Sequence, residues 1–308
     1  MKSAFLFPGQ GSQSVGMGRD LYEQSALGKD IFDRSNEILG YNIQSIIFDG
    51  PEETLRETQY TQPAIFIVSY LLGKLLEDRG LIPSAVAGHS LGEYTACAIA
   101  GVFDFDSALS LVKLRAESMA MAGKKASGTM AAILGLSDEV TEDICRTIST
   151  DSEPVVPANY NSPGQNVISG STAAVRRAMA ALKEAGASRT IELNVSGAFH
   201  SPLMTPARLP LEAKLSTLSL RRATTPVYAN VNARATTEVD TIRNNLLTQL
   251  ESPVRWTQTI QAMAHDGIGH FIEVGPGRVL QGLNRRIDRS LNTIGIDGLN
   301  KLENFFHE

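Results

Sequence analysis

Ala85-Val86-Ala87-Gly88-His89-Ser90-Leu91-Gly92 decides the fold, because it joins a short apolar run to a turn with glycine on either side of a serine. Ala85 to Ala87 reads as a buried strand. The glycines allow a sharp turn, and Leu91 to Ala100 follows with the composition of a buried helix. Upstream, Pro63 to Arg79 carries apolar residues at helical spacing until Pro83 breaks the run. Downstream, Asp106 to Ala122 is again helical. The chain opens with another apolar strand, Ala4 to Phe7, stopped by Pro8-Gly9. Strands alternating with helices in this way predict an α/β core with a largely parallel sheet.

Farther along, the pattern changes. Thr129 to Leu134 is a strand, and Ser137 caps a helix over Asp138 to Ile148. Pro154 to Tyr160 and Gln165 to Ser169 are strands on either side of the turn Asn161-Ser162-Pro163-Gly164, a hairpin signal. Thr172 to about Ala185 is a helix stopped by Gly186, and Ser188 to Leu193 is a strand. The order β-α-β-β-α-β predicts a ferredoxin-like unit. Residues 125–195 are therefore expected to form a small inserted domain, with 1–124 and 196–308 making the large one. In the second part, Pro226 to Asn230 and His270 to Val274 read as strands. Thr241 to Leu250, Trp256 to His265 and Val279 to Ile287 read as helices. No assignment is made beyond about Asp288.

Of the 308 residues, 43% are hydrophobic and 20% charged, with a formal net charge of −5. That is enough apolar material for a large core. No basic tract marks a nucleic-acid partner. The start lacks the long apolar stretch of a signal peptide, and no apolar run approaches the ~20 residues of a membrane span. Cys97 and Cys145 are too few for a disulfide framework. A cytoplasmic protein acting as a monomer is the expectation.

Gly88-His89-Ser90-Leu91-Gly92 fits G-x-S-x-G between a strand and a helix, the setting that projects a serine hydroxyl as a nucleophile. A hydroxyl nucleophile needs a base. Among five histidines, His89 adjoins Ser90 and should point elsewhere. His265 and His270 flank a helix-to-strand connection, and His307 lies in the tail. His200 sits where the small domain rejoins the large one, a place where clefts form, and is the candidate base. Pro8-Gly9-Gln10-Gly11-Ser12-Gln13 is a glycine-rich loop after the first strand. It lacks the Gly-Lys-Ser/Thr of a phosphate loop and the third glycine of a dinucleotide fingerprint. It is either a tight turn or a donor of backbone N–H groups to an oxyanion. Arg115, in an apolar helix, is either a solvated face residue or a cation facing a carboxylate in the cleft. No Cys/His cluster has metal-ligand spacing.

Five segments occur in one order: Phe7-Pro8-Gly9-Gln10-Gly11-Ser12-Gln13, Gly88-His89-Ser90-Leu91-Gly92-Glu93-Tyr94, Asn161-Ser162-Pro163-Gly164-Gln165, Ala198-Phe199-His200-Ser201 and Glu273-Val274-Gly275-Pro276-Gly277. Together they resemble the malonyl-CoA:acyl carrier protein transacylase family of fatty acid synthesis, from Phe5 to about Ile287. The resemblance implies a hydrolase-like α/β domain with a ferredoxin-like insert. It also implies that Ser90 is the nucleophile and His200 its base. Backbone N–H groups of Gln10 and Leu91 would form the oxyanion hole, and Arg115 would clamp the malonyl carboxylate. The main-chain carbonyl of Gln249 would orient His200, making a Ser–His dyad. Ala198-Phe199 is similar to the form tied to malonyl selectivity in related polyketide acyltransferase domains, whereas Gly197 replaces the histidine usual there. The implied partners are malonyl-CoA and acyl carrier protein, with no metal and no cofactor. The rival readings are a trans-acting acyltransferase of polyketide synthesis, an acyl hydrolase or thioesterase, and a non-enzymatic carrier-binding module.

Overall fold

The structure, a computed structural model, describes residues 2–307. In chain order its strands are β1 (Lys2–Phe7), β2 (Ala85–Gly88), β3 (Gly128–Leu134), β4 (Val155–Ser162), β5 (Gln165–Ser171), β6 (Arg189–Glu192), β7 (Val227–Tyr228), β8 (Ala235–Thr236), β9 (Ile268–Val274) and β10 (Asn292–Ile296). They form a mixed α/β protein with two sheets. The larger has the order β10-β9-β1-β2-β7-β8. All its pairings are parallel except the β7–β8 hairpin at one edge.

Ala4 to Phe7 and Ala85 to Gly88 are buried throughout, as unbroken apolar runs in a parallel sheet should be. Strand alternation divides them between two cores. Phe5, Phe7 and Val86 pack with the helix Thr58–Asp78 on one face. Ala4, Leu6, Ala85 and Ala87 pack on the other, with Trp256, Ile260 and Leu280. The helix Thr58–Asp78 begins five residues before the start suggested by Pro63, which it carries in its second turn. Burial of Thr58, Thr61 and Gln62 along with the apolar residues outweighs the local penalty of proline.

In the four-stranded sheet the order is β4-β5-β3-β6, and every neighbour is antiparallel. The helices Asp138–Ile148 and Thr172–Glu184 cover it through Cys145, Val175, Ala178 and Leu182. Ser137 caps the first helix by accepting from the Val140 N–H. The hairpin strands run closer together than the sequence suggests: Ser162 pairs with Gln165, leaving Pro163-Gly164 as the turn. Conversely, the strand expected over Pro226 to Asn230 shrinks to Val227–Tyr228. The two sheets meet where Val254 exchanges backbone hydrogen bonds with Ala158 (2.8 Å) and Tyr160 (2.9 Å).

Beyond Asp288 the chain adds β10, parallel to β9, and the helix Leu299–His307. Leu299 and Leu302 are buried in the large core, and the Leu299 N–H donates to Asp20 at 2.6 Å. Among the described residues no helix is long and apolar enough to cross a membrane.

Phe7 pairs with Gly88, so the loops after β1 and β2 leave the sheet side by side. Connections from β1 run toward β2, whereas β9 leads to β10 on the opposite side. A crevice opens at the carboxyl ends of such strands. The close approach depends on glycine: a Cβ on Gly92 would lie 2.0 Å from the Phe7 carbonyl oxygen. Gly92→Ala should therefore destabilise the fold by about 1–3 kcal/mol or more, as overpacking does. Urea denaturation checks this through a lowered midpoint at constant slope, and an unchanged midpoint would refute the contact.

Candidate active site

Ser90 stands in the turn between β2 and the helix Gly92–Ile99, with φ 52°, and His200 has φ 58°. Left-handed backbone at a non-glycine residue costs of order 1–3 kcal/mol and persists where surrounding contacts enforce it. Here those contacts are specific. The Ser90 N–H donates to the Asn230 side-chain oxygen at 2.8 Å, and the Asn230 amide donates to the Gly88 carbonyl at 2.7 Å. Asn230 thereby clamps both sides of the turn.

His200, 3% exposed, lies 2.8 Å through Nε2 from Ser90 Oγ. Its Nδ1 faces two backbone carbonyls, Gln249 at 2.8 Å and Ser252 at 3.1 Å. Carbonyls only accept, so Nδ1 carries the proton and Nε2 is the acceptor for the Ser90 hydroxyl. Burial and then the nearby Arg115 charge push the His200 pKa down to about 3, the two carbonyls opposing them. The His200 imidazole is therefore neutral over the ordinary working range.

Arg115, 1% exposed, is not a solvated face residue. Its Nη2 donates to Ser90 Oγ at 3.0 Å and to Gln249 Oε1 at 2.9 Å, and Nη1 donates to Gln62 Oε1 at 2.5 Å. Its guanidinium also sits 5.0 Å from the centre of the Tyr94 ring. A cation is thus held in the interior, beside the serine, by neutral amides and an aromatic face.

Ser90, His200, Arg115 and Gln62 line a cavity of about 230 Å³ with Gln10, Met130 and Leu280. Gln10 and Leu91 border it from the loops after β1 and β2, and among the described residues neither N–H donates to a protein acceptor. Glu273 seats another wall: its carboxylate accepts the Leu280 N–H (2.9 Å) and Gln281 N–H (3.1 Å) at the start of the helix Val279–Ile287. His89 turns away from Ser90, with Nε2 2.9 Å from Asn161 Oδ1 and its ring beside Trp256. His265 is exposed, and His270 pairs with Asn292. No group of three His, Cys, Asp or Glu side chains able to hold a metal occurs among the described residues.

Residues 4–294 match the family described as "Acyl transferase domain". The chain is 42% identical over 302 residues to the malonyl CoA-acyl carrier protein transacylase of Bacillus subtilis, covering 98% of this chain and 95% of the relative. The chain belongs to the malonyl CoA-acyl carrier protein transacylase family. The transacylase of that name from Escherichia coli K12 is also 42% identical, over 97% of this chain and 96% of its own. Among solved structures, an acyl carrier protein S-malonyltransferase from Vibrio cholerae superposes with a TM-score of 0.95 at 43% identity, over 99% of this chain and 100% of that one. A malonyl-transacylase solved in complex with its type II PKS acyl-carrier protein gives 0.94 at 39%, over 98% of each.

In this transacylase-family chain the sequence-predicted residues Ser90, His200, Arg115, Gln10, Leu91 and Gln249 all border one site. Gln62, Glu93, Asn230 and Ser252 join them without having been singled out. Gln249 contributes more than its carbonyl: its side-chain amide also bonds the Ser90 carbonyl (3.0 Å) and the Glu93 carboxylate (2.7 Å). Ser252 belongs to the segment Leu250-Glu251-Ser252-Pro253 that follows Gln249, and its contact is through a backbone carbonyl, which residue type does not mark.

Proposed function

We propose that the protein transfers the malonyl group from malonyl-CoA to the phosphopantetheine thiol of acyl carrier protein, by a ping-pong route through an ester on Ser90, to supply fatty acid synthesis. The observation that carries this is the buried Arg115 guanidinium 3.0 Å from Ser90 Oγ. A fixed cation at the nucleophile suits an acyl group that ends in a carboxylate.

His200 Nε2 takes the Ser90 proton as Oγ attacks the thioester carbonyl. The oxyanion that forms is held by the Gln10 and Leu91 N–H groups, a role supported by their border position on the cavity and their lack of a protein acceptor among the described residues. The C–S bond breaks, and His200 returns the proton to the departing CoA sulfur. In the second half, the carrier thiol gives its proton to His200, its sulfur attacks the Ser90 ester, and Oγ leaves with that proton. The two carbonyls on Nδ1 hold the imidazole in the tautomer these transfers need. The charge requirements are met by side chains and backbone, so the reaction asks for no cofactor.

The polyketide reading has one observation in its favour, the likeness to a transacylase solved with a type II PKS carrier. Hydrolysis has none: a carbonyl pair rather than a carboxylate backs His200, and Arg115 gives water no advantage. Residues 1–124 and 196–308 are proposed as a hydrolase-like large domain and 125–195 as a ferredoxin-like small domain. The order β3–helix–β4–β5–helix–β6 supports the latter. The two buried, free cysteines support a cytoplasmic setting.

Arg115→Ala tests the malonyl assignment. A malonyl carboxylate entering the cavity leaves water, which is costly without a partner. Removing one member of a buried charge pair costs about 2–5 kcal/mol, so malonyl kcat/KM should fall roughly 30- to several thousand-fold. Acetyl transfer should fall much less, or rise. Arg115→Lys should stay nearer to alanine, because a point charge cannot reproduce the planar fork. Equal losses on both acyl groups would make Arg115 structural and remove the argument for malonyl.

A further inference from the structure

Glu93 is a buried acid that the mechanism does not use. It is 1% exposed, in the helix that begins just after Ser90. One oxygen, Oε2, accepts both of its protein hydrogen bonds, from the Asn230 backbone N–H (3.1 Å) and from Gln249 Nε2 (2.7 Å). Those two partners hold everything else: Asn230 clamps the Ser90 turn, and the other end of the Gln249 amide accepts from Arg115. A single amide therefore separates the Glu93 carboxylate from the guanidinium beside the nucleophile.

We propose that Glu93 is a positioning residue and a titratable counter-charge, one that fixes Asn230 and Gln249 and, when ionised, competes with the acyl carboxylate of the substrate for Arg115. The inference rests on the malonyl assignment above and deepens it. Facing Glu93 are Arg115, from the helix Phe105–Lys125, and Tyr94 and Cys97 on its own helix. Burial holds Tyr94 and Cys97 in their neutral forms. Asn230 and Gln249 carry no charge, which leaves Arg115 as the ion that matters.

Burial raises the Glu93 pKa to about 7, against the opposing pull of Gln249, Asn230 and Arg115. Below that pH the carboxyl is neutral and Arg115 is free to meet a substrate carboxylate. Above it, the interior already holds one anion near Arg115, and a second is disfavoured. Selectivity for malonyl over acetyl should thus decline as pH rises through about 7. The decline should be roughly tenfold, the effect of one pK unit of coupling between nearby charges.

The experiment measures kcat/KM for malonyl-CoA and acetyl-CoA from pH 6 to 9 and takes their ratio. The CoA phosphates titrate in both substrates and cancel. In the parent the ratio should fall across this range. In Glu93→Gln it should stay level, because the amide oxygen still accepts from both donors while the charge is gone. Glu93→Asp keeps the charge but draws the oxygen back from both donors, so it should lower kcat for both substrates and retain a pH-dependent ratio. A parent ratio that is flat with pH overturns the counter-charge, whether or not either variant folds. A sloping ratio that persists unchanged in Glu93→Gln assigns the titration to another group and also overturns it. Malonyl loading on Ser90 throughout would show that only the Glu93 inference had failed. Absence of malonyl loading from the parent would instead sink the functional assignment.

Discussion

Ser90→Ala should give a folded protein that gains no acyl mass from malonyl-CoA. The change removes one oxygen and leaves the clamp on the turn untouched, since Asn230 holds the Ser90 backbone N–H and not its side chain. Alanine tolerates φ 52° no worse than serine does, so the strained turn survives. What is lost is the oxygen that accepts from Arg115 and lies 2.8 Å from His200 Nε2. Intact mass after incubation with malonyl-CoA reads the outcome directly. An adduct at the parent's stoichiometry would place the acyl group on another residue and end the serine assignment.

His200→Ala should lower transfer by roughly 10²–10⁴-fold, the scale of losing a positioned acid–base group. His265→Ala and His270→Ala should keep most of the activity, because neither approaches the cavity. The pH profile adds a sign. Falling pH protonates His200 and removes the base, but burial and Arg115 place that event far below the ordinary histidine value near 6.5. The acid limb of kcat/KM, which reports the free enzyme, should accordingly lie well under pH 6. Parent-level transfer by His200→Ala across the pH range would dissolve the dyad, and an acid limb at 6.5 would contradict the buried, neutral imidazole.

Local chemistry explains which features could be read from the sequence. The turn at Ser90 is written in its flanking glycines, because a Cβ on Gly92 would meet the Phe7 carbonyl of β1 and one on Gly88 would meet the backbone of Gly92 and Glu93. The helices Trp256–His265 and Val279–Ile287 lie where the sequence pattern puts them, since each has an apolar stripe and a clear break before it. β10 escaped because it is an edge strand: only Ile296 of its five residues is fully buried, so alternation scarcely registers. The helix Leu299–His307 carried a usable signal in Leu299 and Leu302 at i, i+3 spacing. Glu93 and Asn230 were invisible as a pair, since 137 positions separate them and only the β2–β7 pairing brings them together. For Arg115, sequence left a solvated and a buried role open, and the depth of its helix in the core decided between them.

The sheet order also constrains how the chain can be made. β1 precedes every other strand of the larger sheet in the chain, yet it lies in the middle of that sheet, and its two neighbours begin at residues 85 and 268. One side of β1 therefore stays without its partner until the segment Ile268–Val274 has been synthesised. Such long sequence separation slows folding, and unpaired apolar strand edges invite association with other chains. Nascent or truncated forms ending before β9 should consequently be clients for holding chaperones, and the finished C-terminal segment closes the sheet as well as furnishing one wall of the cavity.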